Sequence, residues 1–135
     1  MTVDKFKRHL KKHGHYRTSE RIRLFELLEQ LHSPATIQEL VAKSTDMDEA
    51  TVYRNLDVFE ETGVTHRVYT GWKYKVELSD LFRAHHHHMT CENCDSTTPI
   101  NDRHIENDIK KLAKEKGYVL THHHLELHGL CPNCC

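Results

Sequence analysis

Residues 48–78 read DEATVYRNLDVFEETGVTHRVYTGWKYKVEL. Asp48 can accept from the first free amides of a helix over residues 49–62, and Gly63 can end it. Val52, Leu56 and Phe59 recur on one face of that helix and predict its inward stripe. Thr51, Tyr53, Arg54 and Asn55 are then expected outside, near its N-terminal end. Two β-rich runs follow, Val64–Tyr69 and Trp72–Leu78, joined at Thr70-Gly71 as a hairpin. A capped helix feeding a hairpin predicts a winged helix, with the helix as reader and the hairpin as wing. The exposed residue types suit that role. Arg can fork onto guanine, and Tyr or Thr can reach phosphate oxygens. Many solvated helix faces carry the same types, so this helix alone does not decide the function.

Upstream, residues 1–12 predict a basic helix with Phe6 and Leu10 on one side. Thr18 or Ser19 can cap a second helix carrying Ile22, Phe25, Leu28 and Leu31. Thr36 and Glu39 form a capping box for a third, reaching about Ser44. The first 24 residues hold eight Lys/Arg against two acids, whereas residues 85–135 hold five against seven, with nine histidines. The net charge of −1 hides this gradient. A basic front points to a polyanion, and Arg17 with the first helix could contact a DNA backbone. No apolar run is long enough to cross a membrane and the N-terminus lacks a signal-peptide pattern, so a cytoplasmic protein is expected.

The composition shifts at Ser79–Ala84. Three segments are expected: a winged-helix DNA-binding domain over 1–78, a hinge over 79–84, and a metal-binding dimerisation domain over 85–135. The back half predicts strand, helix, strand. His85–Cys91 is the first strand. Residues 102–116 form an amphipathic helix with Ile105, Ile109, Leu112 and Ala113 inward, stopped by Gly117. Tyr118–His128 is the last strand. The fold class is therefore α+β.

Cys91-Glu-Asn-Cys94 and Cys131-Pro-Asn-Cys134 are paired knuckles. The two-residue spacing lets each pair converge on one ion, and four thiolates at about 2.3 Å complete a zinc tetrahedron. Four protein ligands leave no place for water, so the site is expected to be structural. A thioredoxin-like redox pair would open a helix, and nothing after Cys134 leaves room for one. Cys135 is left over, as a terminal thiol or a substitute for Cys134.

His85-His-His-His88 lies just upstream. On a strand, His85 and His87 point one way and His86 and His88 the other, so two different sites are implied. In Tyr118–His128, alternation puts Val119, His123, Leu125 and Leu127 on an apolar face, and His122, His124 and Glu126 on a solvated one. An inward His123 is either a hydrogen-bonded core residue or a ligand.

At this point a resemblance becomes specific. Ala50-Thr-Val-Tyr-Arg-Asn-Leu56 with Phe59 and Gly63, His85–His88 running into Cys91-x-x-Cys94, Thr18-x-x-Arg21, and Leu125-Glu-Leu-His-Gly-Leu-Cys131 together resemble the ferric-uptake-regulator (Fur) family. The similarity covers nearly the whole chain in order. It implies a homodimeric winged-helix repressor that binds palindromic operators in double-stranded DNA when a divalent metal is present. It places structural zinc on Cys91, Cys94, Cys131 and Cys134. It also implies a sensing site on Glu77, His86 and His88, and a dimerisation-domain site on His85, His87, Glu106 and His123.

The departures from that pattern concern the sensed metal. Iron-type members carry a His in the loop that here holds Pro34, with His32 two residues earlier. They often carry an acid where this chain has Pro99. Zinc-responsive members, the Zur-like branch, take a ligand three residues past the recognition helix's Gly, which here is His66, yet commonly have Cys in place of Glu77. Peroxide sensors favour Asp at that position. Asp95 replaces a usual Gly. The resulting expectation is a sensing set of His66, Glu77, His86 and His88, three nitrogens and one oxygen. That set suits Zn2+ in a tetrahedron, or Fe2+ or Mn2+ in an expanded shell.

Two other readings compete. A metal store or chaperone would explain the histidines but not the reader helix or wing. A zinc deaminase is suggested by His124-Leu-Glu126 before Cys131-Pro-Asn-Cys134, but Pro follows the Cys rather than preceding it, and a second knuckle competes for the metal.

Overall fold

The computed structural model describes residues 2–135, which form two compact units, one ending at Ala84 and one spanning His85–Cys135.

The first unit runs α1 (Thr2–Lys12), α2 (Ser19–Gln30), α3 (Ile37–Lys43), α4 (Glu49–Glu61), β1 (Thr65–Thr70) and β2 (Lys73–Leu78). The starts of α2, α3 and α4 are chemically defined. The Thr18 hydroxyl accepts the Arg21 amide at 3.3 Å, Thr36 that of Glu39 at 3.1 Å, and Asp48 that of Thr51 at 2.7 Å. Each cap satisfies an amide that has no partner within its helix. Gly63, at φ 77°, ends α4 in the left-handed conformation that a side chain would oppose.

Phe6 stacks on Phe25 at 4.2 Å and meets Phe59 edge-on at 5.3 Å. Leu10, Leu24, Leu28, Leu40, Val52, Val64 and Leu78 complete a buried core. Each such side chain contributes about 1.5–3 kcal/mol on burial, so α4 is held rigidly by its inner stripe. β1 and β2 pair antiparallel with Thr70 opposite Lys73. The turn residues are thus Gly71-Trp72, one position later than the sequence suggests. Gly71 takes φ 65° there, which a two-residue hairpin turn needs.

The segment after β2 belongs to this unit. Phe82 packs edge-on against Phe25 at 5.3 Å, and Arg83 Nη2 donates to the Leu28 and Leu31 carbonyls at 3.0 and 2.9 Å. These carbonyls end α2, where a cation is favoured.

The second unit contains β3 (His87–Cys91), β4 (Thr97–Ile100), α5 (Arg103–Glu115) and β5 (Glu126–Gly129), with sheet order β4-β3-β5. β3 pairs antiparallel with β4 and parallel with β5. Three expectations are corrected here. β4 is an additional strand. The first strand begins at His87, not His85. The last strand is confined to Glu126–Gly129, because residues 118–125 have no neighbouring strand among the described residues. The helix is amphipathic as expected, but Leu112 is exposed and no α5 side chain is buried. Cys91 is the one buried hydrophobic residue described in this unit, and Tyr118, Val119 and Leu130 are also exposed. A unit this small with so little core depends on cross-links or on a partner.

Candidate functional site

Three local chemistries stand out, and the cysteines are the most complete. Cys91 ends β3, and its knuckle is closed by Asp95 N donating to Cys91 O at 3.0 Å. Asp95 adopts φ 60°, a left-handed conformation that Asp tolerates better than most residues. Glu92 N donates to Gly129 O at 2.8 Å, fastening this knuckle to the end of β5, from which the chain continues into the second. The four sulfurs of Cys91, Cys94, Cys131 and Cys134 lie within 4.8 Å of one another. Cys94 and Cys131 Sγ are 3.8 Å apart. Sulfurs about 2.3 Å from one zinc ion would be ~3.8 Å apart. Cys135 lies outside the cluster, its thiol turned to the Pro132 carbonyl at 3.8 Å.

The thiols do not ionise alike. Amide donors from Cys94 and Cys131 bring the Cys91 thiol down to about 6. Asn93 also favours the Cys134 thiolate, but the neighbouring sulfurs and burial outweigh it and push this thiol up to about 11. A cluster in which the last thiolate is opposed by its neighbours is suited to a cation at its centre.

The second constellation joins β3, α5 and the stretch before β5. Asp102 caps α5 through the His104 amide at 2.8 Å, which fixes Glu106 one turn in. His123 Nε2 is 3.0 Å from Glu106 Oε2, His85 Nε2 is 3.5 Å from Oε1, and His87 Nε2 contacts Oε1 directly. His85 and His123 Nε2 are 3.1 Å apart. Burial alone would raise the Glu106 carboxyl, but the hydrogen bonds of His87 and His123 and the charges of His123 and His85 hold it below the usual range. The four residues expected from strand-face alternation and the family resemblance are thus together, with donor atoms within 4.8 Å.

The expected sensing residues lie partly in each unit. In the first, His66 and Glu77 are cross-strand partners on the wing, and His66 Nε2 is 2.8 Å from Glu77 Oε1. In the second, the His86 and His88 rings are 4.7 Å apart. His32 is exposed after α2 and belongs to no cluster of ligands among the described residues.

On α4, Tyr53 and Arg54 are exposed and Thr51 is half-buried; Arg17 is exposed ahead of the α2 cap. Asn55 corrects the sequence reading. It is 6% exposed, and its Oδ1 accepts from Arg21 Nε at 3.1 Å. Arg21 also donates to Tyr16 O at 2.8 Å. Asn55 is therefore a brace between α2 and α4, and Arg21 is its partner, a structural role that helix-face reasoning does not reveal. The spacing could have found Asn55, since it lies three residues after Val52 and four before Phe59, on the inward stripe.

A sequence model of the Ferric uptake regulator family matches residues 12–128. The chain belongs to that family. It is 34% identical over 131 residues to the ferric uptake regulation protein of Bordetella parapertussis, covering 93% of both chains. It is 33% identical over 123 residues to that of Legionella pneumophila, covering 87% of this chain and 89% of the relative. Among solved structures, the Vibrio cholerae ferric uptake regulator superposes with TM-score 0.75 at 32% identity, covering 93% of this chain and 98% of that one. The Helicobacter pylori regulator shares the fold at TM-score 0.82 and 20% identity, covering 98% and 91%. This Fur-family chain is a metal-responsive, DNA-binding transcriptional regulator of metal homeostasis, not an enzyme. The deaminase reading lapses with it, since Cys131 and Cys134 share their cluster with two further cysteines. No helix among the described residues is long and apolar enough to cross a membrane.

Proposed function

We propose that this regulator is a homodimeric repressor of metal-uptake genes that binds palindromic operators when zinc or iron occupies His66, Glu77, His86 and His88. The carrying observation is the division of the donors. His66 and Glu77 are already paired at 2.8 Å on the wing, while His86 and His88 stand side by side on the second unit. A metal taking all four would tie reader to dimerisation domain. Phe82 and Arg83 anchor the segment after β2 to the first unit.

Structural zinc on Cys91, Cys94, Cys131 and Cys134 would hold the second unit together, and a divalent ion on His85, His87, Glu106 and His123 would brace α5 against β3. The exposed Leu112, Tyr118 and Val119 and the unpaired stretch 118–125 support dimerisation through this unit. In such a dimer, metal fixes the spacing of two α4 helices about one DNA turn apart. Thr51, Tyr53 and Arg54 face the bases and phosphates, Arg17 the backbone, and Asn55 holds the helix in place.

DNA must tighten metal binding by the factor by which metal tightens DNA binding. Tenfold requires only about 1.4 kcal/mol. The test is a gel shift on an operator selected from random duplexes, with the zinc-loaded protein alone and with added Zn2+ or Fe2+. Retardation of a palindromic site only with added metal is expected. Metal-independent binding would reject the reading, and so would a failure to select any operator.

A further inference from the structure

We propose that Glu126 is a positioning residue for the metal-responsive histidines. Its carboxylate accepts the Nδ1–H of His88, which leaves the Nε2 lone pair of that ring for the metal. The inference rests on the assignment of His86 and His88 as sensing ligands.

Three observations carry it. First, β3 and β5 are parallel, with His88 aligned to Glu126. Aligned residues of neighbouring strands project to the same face, and His86, two residues before His88, shares its parity. Second, His88 Nδ1 is 3.5 Å from Glu126 Oε1, so a charge-assisted bond of about 2.7–2.9 Å requires a movement of under ~1 Å. Third, Glu126 Oε2 is buried with no hydrogen-bond partner. Such an oxygen costs stability unless the carboxylate serves a neighbour. On the opposite flank of β3, the residue aligned with His88 is Pro99, which offers no carboxylate. Glu126 is only half-buried, between exposed His124 and His128, and it is the acid in register with His88.

The chemistry is that of a carboxylate–imidazole–metal relay. A neutral imidazole carries one proton. Holding it at Nδ1 fixes the tautomer, orients the ring and raises the basicity of Nε2. Loss of such a partner typically weakens metal binding 10- to 100-fold.

The test uses full-length, zinc-loaded protein carrying His123→Ala, so that the His86/His88 side is the remaining open His site. Co2+ is titrated by its visible absorption, and the His88 tautomer is read from imidazole 15N shifts before Co2+ is added. Glu126→Ala is expected to weaken Co2+ binding about 10- to 100-fold and to remove the Nδ1–H bias of His88. Glu126→Gln, which keeps shape and an acceptor oxygen, is expected to restore the tautomer but not the full affinity. Co2+ binding within twofold of the parent, with the His88 tautomer unchanged, in both variants overturns the inference. His86→Ala separates the two levels. If it binds Co2+ like the parent, the sensing-site assignment has failed; if it loses Co2+ while the Glu126 variants do not, only the role of Glu126 has failed.

Discussion

Arg21 Nε donates to Asn55 Oδ1 at 3.1 Å, joining α2 to the inner side of the reader helix α4. A buried amide bonded to a guanidinium sets the angle at which α4 leaves the core. Asn55→Ala should therefore destabilise the first unit by about 1.5–3 kcal/mol, the range for a hydrogen bond to a charged group. It should also weaken binding to all operator variants alike. Urea unfolding and binding isotherms check this. A stable protein with base preference altered at a single position would instead place Asn55 on the DNA.

Arg54 and Arg17 should behave differently from Asn55 and from each other. Arg54→Ala should cost about 1–3 kcal/mol against the preferred base and relax specificity at that position. Arg17→Ala should weaken all duplexes uniformly and reduce the salt slope by about one. Isotherms at several salt concentrations separate base reading from phosphate contact.

Part of this was legible in the sequence because the signals are local. Asp48 and Thr36 cap helices through side chains one turn away, and two-residue spacing alone brings paired sulfurs together. Other features depend on neighbours that the local pattern does not contain. Thr97–Ile100 is short and contains Pro99, so only β3 beside it reveals a strand. Residues 118–125 alternate, yet among the described residues no strand pairs with them. Leu112 lies on an amphipathic helix, but the described residues leave it 58% exposed. The polarity of Asn55 suggests an outward place, although its spacing from Val52 and Phe59 puts it inside.

Zinc binding by the cysteines should rise with pH. The Cys91 thiol ionises at about 6, while Cys134 retains its proton up to about 11. At neutral pH zinc must displace the Cys134 proton, so proton release accompanies binding and apparent affinity climbs with pH through that window. Below about 6 the metal-free Cys91 thiol also holds its proton, so zinc must displace a second proton and the apparent affinity falls more steeply. Competition with a chromophoric chelator measures this. Cys94→Ser should lose zinc and unfold the second unit while the first, with its own aromatic core, remains helical. A zinc-free, folded dimer would contradict the structural role.

Asp95 holds φ 60° in the first knuckle. Glycine adopts this conformation without a Cβ penalty, although it loses more chain entropy on folding. Asp95→Gly should stabilise zinc-loaded protein modestly, by about 0.5 kcal/mol, seen as a higher thermal midpoint at equal zinc content. A lower midpoint would show that the Asp side chain contributes more than its backbone costs.

Metal is proposed to signal through His86 and His88, on the face opposite to His85 and His87. The most direct measurement is operator binding by His86→Ala, with and without added metal, alongside its sedimentation. The proposed function predicts an intact dimer that keeps its cysteine-bound zinc but no longer tightens on the operator when metal is added. An unchanged metal response in that variant would contradict the assignment.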